Sequence, residues 1–205
     1  MTPLNILITS ASRKVFLVKS FKEALLKEGG GRVIAADHSP YSAAFFFADK
    51  HYVLPEDSSP KFLQTVIKIC KDNKVALIIP TRDEELAVFA QHKERFNREG
   101  IMVMVSPEKS IEICQDKLKF FEFCRTHHFN SPKVFSPKDL KGQVKFPVFL
   151  NGRISKAGKN AFIIYSQEEL TLFLKVVKKP IIEEYISAKE YTVDLFADFD
   201  GNKSR

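Results

Sequence analysis

Residues 75–86 read Val-Ala-Leu-Ile-Ile-Pro-Thr-Arg-Asp-Glu-Glu-Leu and carry the clearest signal of the fold. The first five of them form a short apolar run, which is typical of a strand buried on both faces in a parallel sheet. Pro80 and Thr81 end this run, and a helix is predicted from Asp83 to Arg98, with Gly100 as its stop signal. Strand, turn and helix make one βα unit, and further units of this kind flank it.

The upstream and downstream segments show the same alternation of apolar runs and helical spacing. The predicted elements are strands at 4–9, 32–36, 51–54 and 101–105, helices over 13–28 and 59–71, and a short helix at 45–47. The resulting order is β-α-β-β-α-β-α-β. Such alternation predicts an α/β, Rossmann-like domain with a mostly parallel sheet covered by helices on both faces.

The pattern changes after residue 106. The predicted elements there are helices over 107–114, 116–127 and 167–177, and strands at 146–150, 161–165, 181–184 and 191–199. Residues 130–145 are rich in Pro, Lys, Ser and Gly and are interpreted as a linker. We therefore expect two domains, residues 1–106 and residues 107–205, the second being α+β with an antiparallel sheet.

Composition excludes several classes of protein. Of the 205 residues, 44% are hydrophobic and 28% are charged, which is ordinary for a globular protein in solution. The first residues lack the basic region and long apolar run of a signal peptide, and no apolar stretch is long enough for a membrane span. Cys70, Cys114 and Cys124 are far apart and form no metal-type pair, so we expect reduced thiols and a cytoplasmic protein.

The net charge of +7 is concentrated in one segment. Residues 133–179 hold ten basic and three acidic residues, which accounts for the whole excess. A basic segment suits a polyanion, such as nucleotide phosphates, nucleic acid or an acidic surface, but a solvated lysine-rich face is an equal alternative. No aromatic-basic motif of a nucleic-acid binder accompanies it, and we expect neither a nucleic-acid nor a membrane partner.

The turns after the predicted strands hold candidate substrate-binding residues. The first turn, Thr9 to Lys14, has no glycine, which argues against a nicotinamide dinucleotide site, although its Arg13 and helix N-terminus could accept an anion. Asp37 ends the second strand and could bind a hydroxyl or cap the next turn. Asp83 and Glu84 could meet a substrate amine, but acidic residues also favour the first turn of any helix.

Two segments in the second half could hold a nucleotide. Residues 151–160 read Asn-Gly-Arg-Ile-Ser-Lys-Ala-Gly-Lys-Asn, which does not match a P-loop but forms a small-residue loop with two lysines between two strands. Such a loop could fold over phosphates, or could be an ordinary exposed hairpin loop. The strand that ends at Glu184 could read an adenine edge with its backbone, and Glu190 could accept ribose hydroxyls.

These segments, taken in order, resemble the carbamoyl-phosphate-synthase-like branch of the ATP-grasp superfamily. The resemblance covers essentially the whole chain and rests on eight stretches: residues 9–15, 34–37, 47–55, 79–86, 115–121, 146–149, 180–186 and 189–196. It implies a pre-ATP-grasp domain followed by the first part of an ATP-grasp domain. It also implies a magnesium- and ATP-dependent ligase, in which a carboxylate is activated as an acyl phosphate and attacked by an amine or ammonia.

The resemblance also implies roles for individual residues. Lys117 matches a basic residue that contacts nucleotide phosphates, and the loop from Arg153 through Lys156 and Lys159 matches the phosphate flap. The adenine linker corresponds to Glu183, Glu184 and Ile186, and Glu190 matches the ribose-binding acid.

This sequence departs from the family pattern in two ways. Asn151-Gly152 stands where the family usually has a Lys-Pro pair whose lysine contacts phosphate, and Lys156 or Lys159 could partly replace it. The family's magnesium ligands lie beyond these residues, so we expect this chain alone to be inactive. The alternative is a non-catalytic, degenerate relative that binds a nucleotide or a protein partner. An incomplete sheet near 180–199 also predicts an apolar surface and association with a second copy or a second chain.

Overall fold

The computed structural model of the chain describes residues 3–136, 144–154, 160–193 and 195. These residues fall into two compact units, Met1–Phe120 and Phe121–Arg205. The helix Glu108–Gln115 lies within the first unit, where the Gln115 side-chain amide donates to the carbonyl of Asp83 at 2.6 Å. The functional boundary expected between residues 106 and 107 remains a prediction.

The first unit is built on a five-stranded sheet. Its strands are β1 Asn5–Ile8, β2 Val33–Asp37, β3 Lys50–Val53, β4 Val75–Ile79 and β5 Met102–Val103. They lie in the order β3-β2-β1-β4-β5, and every neighbouring pair is parallel. The parallel α/β sheet predicted from the apolar runs is therefore confirmed.

Helices cover both faces of this sheet. They are α1 Val15–Lys27 and a 3-10 helix at Ala43–Phe46 on one face, and α2 Phe62–Asn73, α3 Asp83–Gln91 and α4 Lys93–Arg98 on the other. Helix α5 Glu108–Gln115 contacts α3, and α6 Lys117–Thr126 begins in the first unit. Successive residues of β2 point to opposite faces, as the pleat requires. Ile34 and Ala36 join the core under α2, α3 and α4, while Val33 and Ala35 join the core under α1.

Gly31 lies where two backbone segments nearly touch. It precedes β2 with a φ of +148°, and a Cβ atom at this position would lie 2.0 Å from the carbonyl oxygen of Leu4. Only glycine fits such an approach without displacing backbone. Three glycines, Gly29 to Gly31, follow α1, and the last of them lets the chain pass beside β1.

The single helix predicted over 83–98 was wrong in one respect, because the chain forms two helices there. His92 separates α3 from α4 with φ −106° and ψ 11°, and its Nδ1 lies 2.9 Å from the carbonyl of Val88. Backbone N–H groups of Arg95 and Phe96 then bond back to the His92 carbonyl, which starts the second helix. Phe96 packs beside Phe89 in the core, with the ring centroids 5.8 Å apart.

The second unit contains a three-stranded antiparallel sheet and a helix. Its elements are β6 Val148–Gly152, β7 Phe162–Ile164, α7 Gln167–Val176 and β8 Pro180–Glu184, with the strands in the order β7-β6-β8. Ser166 caps α7 by accepting from the Glu169 backbone N–H at 3.3 Å, and the Glu169 carboxylate accepts from the Tyr165 N–H, just before the cap, at 2.7 Å. The predicted antiparallel arrangement is confirmed here.

The strand predicted over 191–199 is not found in the part that the structure describes. Tyr191–Val193 have no strand conformation, and residue 194 and residues 196–199 lie outside the described residues. Alternating apolar and polar residues predicted this strand, but Tyr191 and Val193 are both exposed. Across the described ranges, no helix has the length and apolar character needed to cross a bilayer.

Candidate functional site

The first candidate site lies where the sheet of the first unit changes direction. The chain moves outward from β1 to β2 and β3 on one side, and to β4 and β5 on the other. In open α/β sheets, ligands bind outside the carboxyl ends of the strands at such a switch point. Here that place is formed by the turn at 9–14, after β1, and the turn at 80–82, after β4.

The turn after β1 has an unusual backbone. Ser10 and Ser12 have φ values of 47° and 42°, in the left-handed region that residues other than glycine seldom adopt. Strained backbone of this kind persists only where the surroundings hold it, and it is often found at binding sites. The carbonyl of Ser12 accepts bonds from the Ala44 N–H and the Ser42 hydroxyl, and the Ser10 carbonyl accepts from the Lys14 ammonium at 3.1 Å.

Glu85 joins the two turns across the switch point. Its carboxylate is fully buried and accepts from the Ser10 hydroxyl at 3.0 Å, the Thr81 N–H at 2.7 Å and the Arg82 N–H at 3.2 Å. The Thr81 hydroxyl lies 2.7 Å from the Thr9 carbonyl and 2.8 Å from the Ser10 carbonyl. We call Ser10, Thr81 and Glu85, with these bonds, the carboxylate clasp.

Burial shifts the pKa of Glu85 in the clasp. It raises the pKa of Glu85 above the ordinary glutamate value, because the charged form loses its hydration, while the bonds from Thr81, Ser10 and Arg82 act in the opposite direction. The sequence analysis selected the neighbouring Asp83 and Glu84 and did not select Glu85. The available signal was its place as third residue of α3, from which a glutamate can reach back to the N–H groups before the helix.

The Asp37 carboxylate is hydrogen-bonded to the backbone of the turns around it. Its carboxylate accepts from the Ser12 N–H at 2.7 Å and the Ser39 N–H at 2.9 Å, the His38 ring nitrogen lies 3.3 Å away, and its side chain is buried. The structure therefore shows the turn-capping arrangement, which was one of the two alternatives. A role for Asp37 in substrate binding remains a prediction.

The other three predicted substrate residues lie near the same edge of the sheet. Arg13 is exposed in the turn after β1, while Asp83 and Glu84 are exposed in the first turn of α3. The Arg82 guanidinium lies 3.2 Å from Glu84 and 3.3 Å from Asp57, so these acidic groups already have a cation beside them. The topology thus brings Arg13, Asp83 and Glu84 to the carboxyl ends of β1 and β4, where a ligand could meet them.

The second candidate site is a face of the sheet in the second unit. Antiparallel partners point to the same face, and β6 pairs with β8 so that Phe149 lies opposite Glu183 and Asn151 opposite Ile181. The residues between them, Leu150 and Ile182, belong to the core with α7. Asn151 and Glu183 therefore share the face away from that core, at diagonal positions about 7–8 Å apart in Cα spacing.

The end of β8 leads into the other predicted nucleotide residues. Glu184 is exposed and accepts from the Lys133 N–H at 3.3 Å, and its own N–H donates to the Lys133 carbonyl at 2.8 Å. Ile186 and Glu190 follow in irregular, exposed chain. Arg153 comes directly after β6, and its N–H donates to the Lys179 carbonyl at 2.9 Å. We name residues 184–190, which begin at the last residue of β8, the strand exit.

Lys117 belongs to the first unit and begins helix α6 half-buried. The preceding Asp116 caps that helix, because its carboxylate accepts from the N–H groups of Leu118 and Lys119 at 3.1 and 3.3 Å. The Gln-Asp-Lys stretch is therefore a helix start, and the phosphate contact of Lys117 remains a prediction. Lys156 and Lys159 lie outside the described residues.

Metal ligation and cysteine reactivity are the other two kinds of chemistry that the described residues could perform. Over the ranges that the structure describes, no three His, Cys, Asp or Glu side chains converge as metal ligands. We therefore assign no magnesium ligand to these residues. Cys70 and Cys124 are buried and Cys114 is exposed; burial raises the pKa of Cys70 to about 12, which keeps it a thiol at neutral pH.

Comparison with known proteins finds a family match over most of the first unit and similar proteins over most of the chain. Residues 6–104 match the family described as PylC-like, N-terminal domain. The carbamoyl phosphate synthase large chain of Thermoplasma volcanium is 24% identical over 196 residues, a match that covers 86% of this chain and 18% of that protein. The chain therefore spans less than a fifth of the length of this curated relative.

Solved structures share the fold. The N5-carboxyaminoimidazole synthetase of Staphylococcus aureus complexed with ADP has a TM-score of 0.68 at 17% identity, covering 91% of this chain and 48% of that one. The biotin carboxylase domain dimer of the Hydrogenobacter thermophilus 2-oxoglutarate carboxylase, complexed with MgADP, ADP and bicarbonate, has a TM-score of 0.67 at 16% identity, covering 91% and 45%.

These comparisons confirm the resemblance inferred from the sequence. The fold is that of the N-terminal part of ATP-grasp proteins. Within that class, residues 6–104 are similar to the PylC-like N-terminal domain, and most of the chain is similar to carbamoyl phosphate synthase large chains.

Proposed function

We propose that this chain forms the nucleotide-holding N-terminal part of an ATP-dependent carboxylate–amine ligase that acts through an acyl phosphate. The observation that carries the proposal is the pairing of β6 with β8, which puts Asn151 and Glu183 on one sheet face beside the exposed strand exit. The structures of two relatives reported above were solved in complex with ADP or MgADP. ATP and magnesium are therefore the proposed cofactors.

The nucleotide roles follow from the chemistry of each group. Backbone N–H and C=O groups near Glu183, Glu184 and Ile186 would read the adenine edge, and the Glu190 carboxylate would accept ribose hydroxyls. Arg153, together with Lys156 and Lys159, would neutralise phosphate charge, and Lys117 is assigned to the same task by the resemblance. Asn151 would contribute an amide contact where the family usually has an ammonium group.

The substrate roles rest on the first unit. Arg13 is an exposed cation at the switch point and suits a substrate carboxylate, while Asp83 and Glu84 suit an amine. Asp37 would act through the turn that it caps. Activation of a carboxylate needs positioning and charge neutralisation more than covalent chemistry from the protein, so these charged residues are the relevant ones.

A second candidate function is supported by Asn151. If the family lysine has been lost because phosphoryl transfer is no longer performed, the chain would be a non-catalytic relative that binds a nucleotide or a protein partner. The two functions differ in their response to restoring the charge. A ligase cradle that lacks one phosphate contact should gain affinity from a lysine, whereas a degenerate site should not.

Calorimetric titration of ATP and ADP, each with magnesium, into the 205-residue chain tests both candidates. We expect saturable binding, an affinity increase of roughly tenfold in Asn151→Lys, and a similar loss in Lys117→Met, since one charge-assisted bond contributes about 1.5–3 kcal/mol. Lys119→Met, two residues along the same helix, is the matched control and should bind as wild type does. Binding that Asn151→Lys leaves unchanged would favour the non-catalytic relative.

A further inference from the structure

A groove opens at the amino edge of the sheet in the first unit, opposite the edge that holds the carboxylate clasp. Its volume is about 610 Å³. Asn5 and Lys50 are the first residues of β1 and β3. Arg32 and Lys74 directly precede β2 and β4, so four neighbouring strands contribute to the groove. We call it the basic groove, and its lining is completed by Pro3, Gly31, Asp72 and Asn73.

Two asparagine side chains hold the walls of the basic groove together. The Asn5 Nδ2 donates to the Asn73 carbonyl at 2.7 Å, and the Asn5 Oδ1 accepts from the Arg32 N–H at 3.0 Å. Asn73 is buried, and its Nδ2 donates to the Ile69 carbonyl at 2.8 Å. Its Oδ1 accepts from the Lys50 ammonium at 3.0 Å. The backbone at Arg32 and the ammonium group of Lys50 are therefore held by contacts within the unit itself.

The basic groove has more positive charge than its own residues neutralise. Arg32, Lys50 and Lys74 are three cations beside the single carboxylate of Asp72. Among the residues that the structure describes, none of these three cations lies within 4.0 Å of a carboxylate. The carboxyl end of α2 favours a cation at Lys74 but does not account for Arg32, which precedes β2. Cations that line a concave surface in this way attract an anion.

Lys74 occupies a backbone position that is unfavourable for a lysine. It follows the last residue of α2 with φ 49° and ψ 46°, in the left-handed region. Helices usually place glycine or asparagine at such a position, because a Cβ atom crowds the backbone there. The conformation of the chain thus gives no reason for a lysine, whereas its place in the lining of the basic groove does.

A phosphate group suits the basic groove better than a carboxylate does. The oxygens of a phosphate point in several directions and can accept from ammonium and guanidinium groups that belong to different strands, whereas both oxygens of a carboxylate lie in one plane. Arginine and lysine are also the side chains that commonly bind phosphate. We propose that the basic groove binds a small molecule that carries a phosphate group. This proposal does not depend on the proposed function.

Calorimetric titration of inorganic pyrophosphate into the full chain, without magnesium or nucleotide and at constant ionic strength, tests the proposal. We expect saturable binding to one site. Arg32→Gln and Lys50→Gln should each weaken it about fivefold, since each removes one cation from a solvent-accessible site. Lys68→Met is the matched control, because Lys68 is an exposed lysine of α2 that does not line the groove. It should bind pyrophosphate as wild type does.

A glycine at position 74 separates binding from folding. Lys74→Gly relieves the left-handed backbone, so this variant should be at least as stable as wild type in urea unfolding. It should nevertheless bind pyrophosphate about fivefold more weakly, because it removes a cation. Ribose 5-phosphate, titrated in parallel, distinguishes a sugar phosphate from an inorganic one, and binding of either compound supports the proposal.

Four results would overturn the proposal. They are the lack of saturable binding of either phosphate compound, equal affinity for citrate, an affinity that all three groove variants leave unchanged, and a loss of binding confined to Lys117→Met. In the last case pyrophosphate would occupy the proposed nucleotide site instead of the basic groove.

Discussion

The carboxylate clasp of the first unit and the strand exit of the second unit differ in how far their carboxylates are buried. In the first unit, Glu85 and Asp37 are buried, and both carboxylates accept bonds from the backbone of the turns around them. In the second unit, Glu184, Ile186 and Glu190 lie exposed on the strand exit. The difference separates scaffold from binding surface: buried carboxylates fix the turns, while exposed groups remain available to a ligand.

This contrast leads to a division of effects. A buried polar group that loses its partner imposes a desolvation cost on the fold, whereas an exposed group can be replaced with little effect on stability. Substitutions in the carboxylate clasp should therefore act on unfolding free energy, and substitutions on the strand exit should act on affinity.

Gly31→Ala should destabilise the first unit by about 4 kcal/mol, because its Cβ would lie 2.0 Å from the Leu4 carbonyl oxygen and its backbone has φ +148°. Urea unfolding measures the change. Gly100→Ala is the matched control, since its φ is +73° but nothing lies within 4 Å of the added Cβ. It should cost only about 1 kcal/mol. Equal losses in the two variants would refute the close-approach explanation.

Glu85→Ala should lower the unfolding free energy by about 2–4 kcal/mol. The substitution leaves the buried N–H groups of Thr81 and Arg82 and the Ser10 hydroxyl without their acceptor. Thermal and urea unfolding give the measurement. Glu108→Ala is a suitable control because Glu108 also stands in the first turn of a helix but is exposed. A Glu85→Ala variant as stable as this control would show that the clasp contributes nothing.

Glu190→Gln should weaken binding of MgADP by roughly tenfold and leave the unfolding free energy within about 0.5 kcal/mol of wild type. The neutral amide is a weaker acceptor for ribose hydroxyls, and the side chain is exposed. Titration calorimetry and urea unfolding on the same preparation separate the two quantities. Glu122→Gln, another exposed glutamate of the second unit, provides the control. If Glu190→Gln changed the unfolding free energy but left the affinity for MgADP intact, the proposed division between scaffold and binding surface would be contradicted.

The smallest expected effect is the pH dependence of the clasp. Because burial raises the pKa of Glu85, the native state binds its proton more tightly than the unfolded state. Its contribution is fully present below the ordinary glutamate pKa of about 4.3 and is lost as pH rises through the native pKa. Glu85→Gln does not titrate, so its stability relative to wild type should increase across that window. A constant difference would contradict the assigned shift.

The sequence predicts the first unit well because its signals are local. The apolar run at 75–79 and the helical spacing of α1 and α2 each point to one structure, and parallel pairing follows from their alternation. The break at His92 was not predictable, because the apolar spacing continues through it and the cause is a local turn. The absence of a strand at 191–193 shows the opposite failure, in which alternation was present without packing to support it.

The candidate site was predictable in its chemistry but not in its arrangement. Residue types identified Asp37, Asp83 and Glu84, yet only the tertiary structure shows that Glu85 is the carboxylate between the turns. Likewise, the pairing of β6 with β8 depends on strand register, which a single sequence leaves open until the core face is known. Their pairing places Asn151 and Glu183 on one face.

Hydrogen–deuterium exchange of the chain with and without saturating MgADP tests the division between the units most directly. We predict that MgADP slows exchange in peptides that cover 146–153 and 180–190, where the sheet face and the strand exit lie. Peptides covering 9–14 and 80–86, in the carboxylate clasp, should exchange as before. Protection confined to the clasp peptides, or no change in any peptide under conditions of saturation, would contradict the proposal that the second unit holds the nucleotide.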